Sequence, residues 1–163
     1  MSYEIHPNTK IGHVHLTVSN LDRAEKFYTK MLGFSVTARF GKTASFLSSG
    51  KYHHHIGLNT WSGENATPPP PGHTGLYHFA ILYPNREELA KAFKLLWENN
   101  YPIDGASDHG VSESIYLKDP DGNGIELYCD RPSEQWPTDE VGNILLYTKS
   151  LNLPDLLSTL KDQ

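Results

Sequence analysis

The chain has 163 residues, 37% of them apolar and 20% charged, a length and balance that suit one folded domain and exclude a disordered polymer. The formal net charge of −5, without a basic run, leaves no electrostatic footprint for nucleic acid or for an anionic membrane. No apolar stretch approaches the roughly 20 residues that cross a bilayer, and MSYEIHPNTK lacks the basic-then-apolar order of a secretory signal, so no membrane partner and a cytoplasmic setting are expected.

In chain order, the text repeats itself. HVHLTVSNLDRAEKFYTKMLGF begins at His13, and HFAILYPNREELAKAFKLLWEN begins at His78. Each opens on a histidine and an apolar strand, crosses a polar turn and enters a helix. Leu21, Ala24, Phe27, Tyr28, Met31 and Leu32 form the apolar stripe of the first helix, and Leu89, Ala92, Phe93, Leu96 and Trp97 that of the second. Ser19 or Asn20, and Asn85, stand where N-caps belong, and Gly33 suits the stop of the first helix. After the first helix, FSVTARF, ASFLSS and HHHIGLNTW read as strands; after the second, YPIDGAS, ESIYLKD and GIELYCD do. The turn Asp119-Pro120-Asp121-Gly122-Asn123-Gly124 joins the last two as a hairpin. Between the copies, SGENATPPPPGHTG carries four consecutive prolines and reads as a stiff connector.

The expected fold class is therefore α+β. Two tandem βαβββ modules, residues 9–61 and 75–131, form one domain over 9–131, with a curved mixed sheet around a cleft and the helices outside. Residues 132–163 are an extension with a short strand expected at Ile144–Tyr147 and a short helix from about Pro154, whose Leu153, Leu156, Leu157 and Leu160 could cover an apolar patch or a neighbouring subunit.

His13 and His78 open equivalent strands, and Glu126 lies on the last strand with Ile125, Leu127 and Cys129 on the opposite face by period-2 alternation. A carboxylate flanked by Ile and Leu is costly to bury unless something positive faces it. Two imidazoles and one carboxylate form a facial triad with open positions, an arrangement suited to non-haem Fe(II). The lone Cys129 permits no internal disulfide and reads as a small buried residue. Trp61 and Trp136 read as packing residues, with lining of a hydrophobic mouth as the other role open to them.

GHVHLTVSNLDRAEKFYTKMLGF, GLYHFAI and YLKDPDGNGIELY together resemble the vicinal-oxygen-chelate superfamily, which includes glyoxalase I, fosfomycin- and bleomycin-resistance proteins and type I extradiol dioxygenases. The resemblance covers about residues 10 to 131. It implies a divalent metal held by His13, His78 and Glu126, with His15 the rival for the first position. Fe(II) is the metal expected, with Mn(II), Zn(II) or Ni(II) as the others open to such a site. A glyoxalase I-like site would need a further glutamate in the strand reading HHHIGLN, and none is present. The extradiol branch instead places a catalytic histidine on that strand and a tyrosine ten residues before the metal glutamate, which here is Tyr116. His109 resembles the histidine found upstream of that tyrosine.

The catechol-2,3-dioxygenase-like branch is the nearest in these motifs, and this chain resembles one half of a double-length member. The resemblance implies a catecholic substrate, O₂, and catalytic roles for His54 or His55, His109 and Tyr116. Strand alternation would put His53 and His55 on one face and His54 on the other, with His55 favoured as the inward one. A homodimer is expected. The alternatives are a binding protein of the bleomycin-resistance type, or a lyase or transferase of the glyoxalase or fosfomycin-resistance type.

Overall fold

The computed structural model describes residues 2–160. The chain divides between Ala66 and Thr67 into two compact units. In the first, β1 (Val14–Thr17), α1 (Leu21–Lys30), β2 (Ser35–Phe40), β3 (Ala44–Ser48) and β4 (Ile56–Asn59) follow one another. The sheet order is β1-β4-β3-β2, with β1 parallel to β4 and the other neighbours antiparallel. Asn20 caps α1, its Oδ1 accepting from the Arg23 amide at 2.9 Å, so of the two expected caps Asn20 serves. Ala24, Phe27 and Tyr28 are buried at helical spacing, and the helix packs on β3 and β4 over Leu47, Ile56 and Leu58. The helix stops at Met31, two residues before Gly33, whose φ of +77° turns the chain so that the Phe34 amide reaches the Tyr28 carbonyl at 3.0 Å. Glu25 of α1 accepts from Arg39 at 2.6 Å and from Ser45 Oγ at 2.8 Å, tying the helix to β2 and β3.

The second unit repeats the plan. It holds β5 (Phe79–Leu82), α2 (Arg86–Glu98), β6 (Gly105–Asp108), β7 (Ser112–Lys118), β8 (Gly124–Asp130), β9 (Lys149–Ser150) and α3 (Leu153–Ser158). Its order is β5-β8-β7-β6-β9, with β5 parallel to β8. Asn85 Oδ1 accepts from the Glu88 amide, and Leu89, Ala90, Phe93 and Leu96 fill the buried stripe of α2. Trp97 does not join it. It is 65% exposed, because the stripe passes through Leu96 and leaves Trp97 one position round the helix, its ring tilted against Phe93 with centroids 6.0 Å apart. Asp119 builds the hairpin turn by accepting from the amides of Asp121 and Asn123 and from Asn123 Nδ2, all at 2.8–2.9 Å. Gly122 supplies the positive φ, +87°, at which other residues are strained.

The strands thus form two sheets, one per repeat. Three sequence expectations shift. The β4 strand starts at Ile56, since Tyr52 and His53 occupy a bend, and β6 starts at Gly105, four residues later than YPIDGAS suggested. In the extension, Ile144 forms one isolated bridge to Thr138 rather than a strand through Tyr147, and the pairing with β6 falls to Lys149–Ser150. The helix near Pro154 is α3, capped by Asn152, with Leu156 wholly buried where α3 packs on α2. Asp139 repeats the Asp119 turn, accepting from Val141, Asn143 and Asn143 Nδ2. No helix among the described residues is long and apolar enough to cross a membrane.

Candidate active site

Each sheet has one face under its helix and one face free of it. On β8, Ile125, Leu127 and Cys129 are buried toward α2, and burial raises the Cys129 thiol pKa, as expected of an inert small residue. Glu126 and Tyr128 therefore lie on the opposite face. His78 directly precedes β5, the parallel neighbour of β8, and its Nε2 lies 3.0 Å from Glu126 Oε2. Both side chains are largely covered, 29% and 14% exposed. Tyr116 sits directly across from Glu126 in the β7–β8 ladder and donates to its other oxygen, Oε1, at 3.0 Å. His109 Nε2 lies 2.6 Å from the Tyr116 hydroxyl, and its Nδ1 lies 3.0 Å from the Tyr147 carbonyl. Burial first, then the neighbouring Glu126, raises the Tyr116 phenol pKa and keeps it protonated.

This chain of contacts has a proton count. A carbonyl only accepts, so the Tyr147 contact assigns a hydrogen to His109 Nδ1. With a neutral His109, the single Tyr116 proton must choose between His109 Nε2 and Glu126. Both links are made together only when one further proton resides on His109 or Glu126.

In the first unit the histidines gather on the corresponding face of the sheet. The His13 ring packs on His54, with centroids 4.4 Å apart, and His54 in turn meets Phe46 edge-on and lies with its Nδ1 2.7 Å from that of His53. Burial, then His13 and His53, lowers the His54 pKa below its ordinary 6.5. His55 turns elsewhere, with Nδ1 2.9 Å from Ser48 Oγ and its ring on Tyr52. Alternation could not sort these three, because His53 and His54 precede β4 and do not follow strand geometry. The ring against His13 is that of His54.

The two registers show what the repeats share and where they part. Glu126 pairs with Ala80 and Tyr116; at the same places in the first sheet, Gly57 pairs with His15 and Phe46. The His15 ring lies on Gly57 so closely that a Cβ there would fall 2.9 Å from ring carbons; it meets Phe46 edge-on and lies tilted against Trp61 with centroids 5.4 Å apart. Trp61 is 61% exposed, its Nε1 3.3 Å from Thr43 Oγ1, whereas Trp136 is half-buried and donates to the Arg131 carbonyl. Within each unit, among the described residues, no three His, Cys, Asp or Glu side chains close on one point. His78 and Glu126 form a pair in the second unit, and His13 belongs to the first. The sequence did not reveal the Tyr147 carbonyl, which acts through the backbone, or the Gly57–His15 exchange, which needs the strand register.

The family model for the Glyoxalase/Bleomycin resistance protein/Dioxygenase superfamily matches residues 10–127. The chain belongs to this superfamily. Among the superfamily's curated proteins, catechol-2,3-dioxygenase of Bacillus subtilis (strain 168) is 41% identical over 160 residues, 98% of this chain but 55% of the relative. The chain thus spans about half the length of that protein. Biphenyl-2,3-diol 1,2-dioxygenase 3 of Rhodococcus globerulus is 26% identical over 144 residues, covering 82% of this chain and 75% of the relative. The crystal structure of a glyoxalase/dioxygenase from Nostoc punctiforme shares the fold, with a TM-score of 0.64 and 21% identity over 81% of this chain and 99% of that one.

Proposed function

We propose that this chain is an extradiol-type ring-cleaving dioxygenase that uses Fe(II) and O₂ on a catecholic small molecule. The observation that carries the reading is the His78–Glu126 pair, whose carboxylate is held on its other oxygen by Tyr116 and, through it, by His109. Imidazole nitrogen and carboxylate oxygen side by side on the open face suit a divalent metal such as Fe(II), so the donor chemistry fits. His13, which precedes β1 as His78 precedes β5, is the third ligand in this reading. When bound, Fe(II) supplies Lewis acidity and a template for two vicinal substrate oxygens and for O₂.

The remaining work falls to side chains. Tyr116 fixes the carboxylate plane of Glu126 and offers its hydroxyl to a substrate oxygen, while His109 holds Tyr116 in that orientation. His54, the ring packed on His13, is the acceptor for the substrate's hydroxyl proton. The absence of a carboxylate at Gly57 favours ring cleavage over an isomerisation that runs between two glutamates.

The test is elemental analysis of protein purified without chelators, followed by O₂ uptake with substituted catechols after anaerobic Fe(II) loading. The expected result is one metal per chain, uptake matched by a yellow ring-opened product, and loss of both metal and turnover in Glu126→Ala. Metal binding unaltered by Glu126→Ala, or no uptake by the iron-loaded protein with any catechol, would overturn the reading.

A further inference from the structure

The extension reaches the candidate site at His109. The pairing of β9 with β6, Asp108 opposite Lys149, brings the two preceding residues, Tyr147 and Thr148, beside it. Both lie beyond residues 10–127, which carry the family match. The Tyr147 carbonyl is 3.0 Å and Thr148 Oγ1 3.3 Å from His109 Nδ1, and the Tyr147 amide donates to the His109 carbonyl at 3.5 Å. The same short segment thus holds both the ring and the backbone of His109.

Packing fixes this clasp on each side. The Tyr147 ring lies over Gly110, where a Cβ would fall 2.6 Å from it, and Lys149 Nζ stands 4.4 Å from its centroid. Gly110 has a φ of +80°, at which other residues are strained, and its amide donates to Asp108 Oδ1 at 2.8 Å. Asp108 Oδ2 accepts from Arg131 at 3.0 Å, and the His109 amide donates to the Ser112 carbonyl at 2.9 Å. Residues 108–110 are therefore a braced bend, and Tyr147 closes it.

We propose that the extension is a positioning element for His109: the Tyr147 carbonyl selects the neutral tautomer with its hydrogen on Nδ1 and leaves Nε2 as a bare acceptor 2.6 Å from the Tyr116 hydroxyl. Two neighbours compete for this choice. A Tyr116 hydroxyl donating to Glu126 leaves its oxygen to accept, which calls for a hydrogen on Nε2. That tautomer would set the Nδ1 lone pair against the Tyr147 carbonyl, which cannot donate. The clasp decides between them. In the ring-cleavage reading, on which this consequence alone rests, a bare Nε2 keeps His109 able to take up a proton beside Tyr116.

The test is side-chain nitrogen NMR of the chain before any metal is loaded, at alkaline pH where the His109 ring is neutral, with His109→Gln identifying its signals. The wild type is expected to show the Nδ1–H form in an excess of about five- to tenfold, the bias that one net hydrogen bond gives. Tyr147→Gly removes the ring that seats the segment on Gly110 and is expected to shift His109 towards Nε2–H. Tyr147→Phe keeps that ring and should retain the wild-type signals. Gly110→Ala, whose Cβ displaces the ring from the other side, should repeat the shift and serves where Tyr147→Gly does not fold. A wild type dominated by Nε2–H would overturn the proposal, as would an Nδ1–H form that survives displacement of Tyr147. A chain that shows the expected tautomers but turns over no catechol supports the clasp and ends the ring-cleavage reading alone.

Discussion

Tyr116 illustrates how one hydroxyl can serve two neighbours. It sits between His109 Nε2 and Glu126 Oε1, on the strand directly paired with that of the glutamate. Tyr116→Phe keeps the ring and its packing against His78 while removing both links. In the iron-loaded protein, the expected outcome is a fall in kcat of about 100-fold, the range for losing one hydrogen-bond donor aimed at the reacting oxygens. Metal content should be unchanged, because the Glu126 oxygen beside His78, Oε2, is untouched. Steady-state kinetics alongside metal analysis separates this role from that of a ligand, whose loss would empty the site. Burial and Glu126 raise the Tyr116 pKa, so the tyrosine should not ionise across the neutral range, and no tyrosinate band should appear there on alkaline titration.

At the level of elements, the tie between α1 and its sheet is a charge that is fixed by geometry. Glu25 accepts from Arg39 and Ser45, and the Arg39 contact, against a smaller opposing effect of burial, lowers its carboxyl pKa below 4.5. A pKa lowered on folding contributes stability that is complete above the unfolded value and is lost as pH falls through the folded one. Glu25→Gln should therefore be less stable than wild type at neutral pH, and the two urea midpoints should converge below pH 4.5. Because Arg39 is exposed, the gap at neutral pH should also shrink on adding salt. The twin turns make a related point. Asp119 and Asp139 collect the same set of amide donors through the same Asp-x-x-Gly-Asn spacing, yet one joins two seven-residue strands and the other only a single bridge. Turn chemistry sets the reversal; the residues beyond it, Pro137 among them, decide whether a ladder grows.

For the molecule as a whole, the extension is part of the second unit's core rather than an appendage. Leu156 is wholly buried, and Arg86 at the start of α2 binds Glu113 of β7 and Asp155 of α3 together, while Arg131 joins Glu113 to Asp108. Leu156→Ala is expected to lower unfolding stability by about 2–5 kcal/mol, read from chemical denaturation. An extension that packed only marginally would show almost no change. The sequence made the two βαβββ repeats, both helix caps and α3 legible, because periodicity and capping are local signals. The resemblance to the extradiol branch pointed to His78, Glu126, Tyr116 and His109, and the β7–β8 register brings these four side chains next to one another. The sequence could not sort His53, His54 and His55, which lie where strand alternation has not begun, and it could not place Trp97, whose helical phase fitted the stripe while the packing did not. Nor could any local pattern show that His15 lies over Gly57.

That last contact bears on how such a chain can change over evolutionary time. A carboxylate enters at residue 57 only if the His15 imidazole, which lies 2.9 Å from where its Cβ would stand, moves aside. Removing the imidazole first leaves an uncovered backbone and a gap beside Phe46 and Trp61. The two residues therefore share one space, and a lineage that acquires a carboxylate at residue 57 has to move or replace His15 as well.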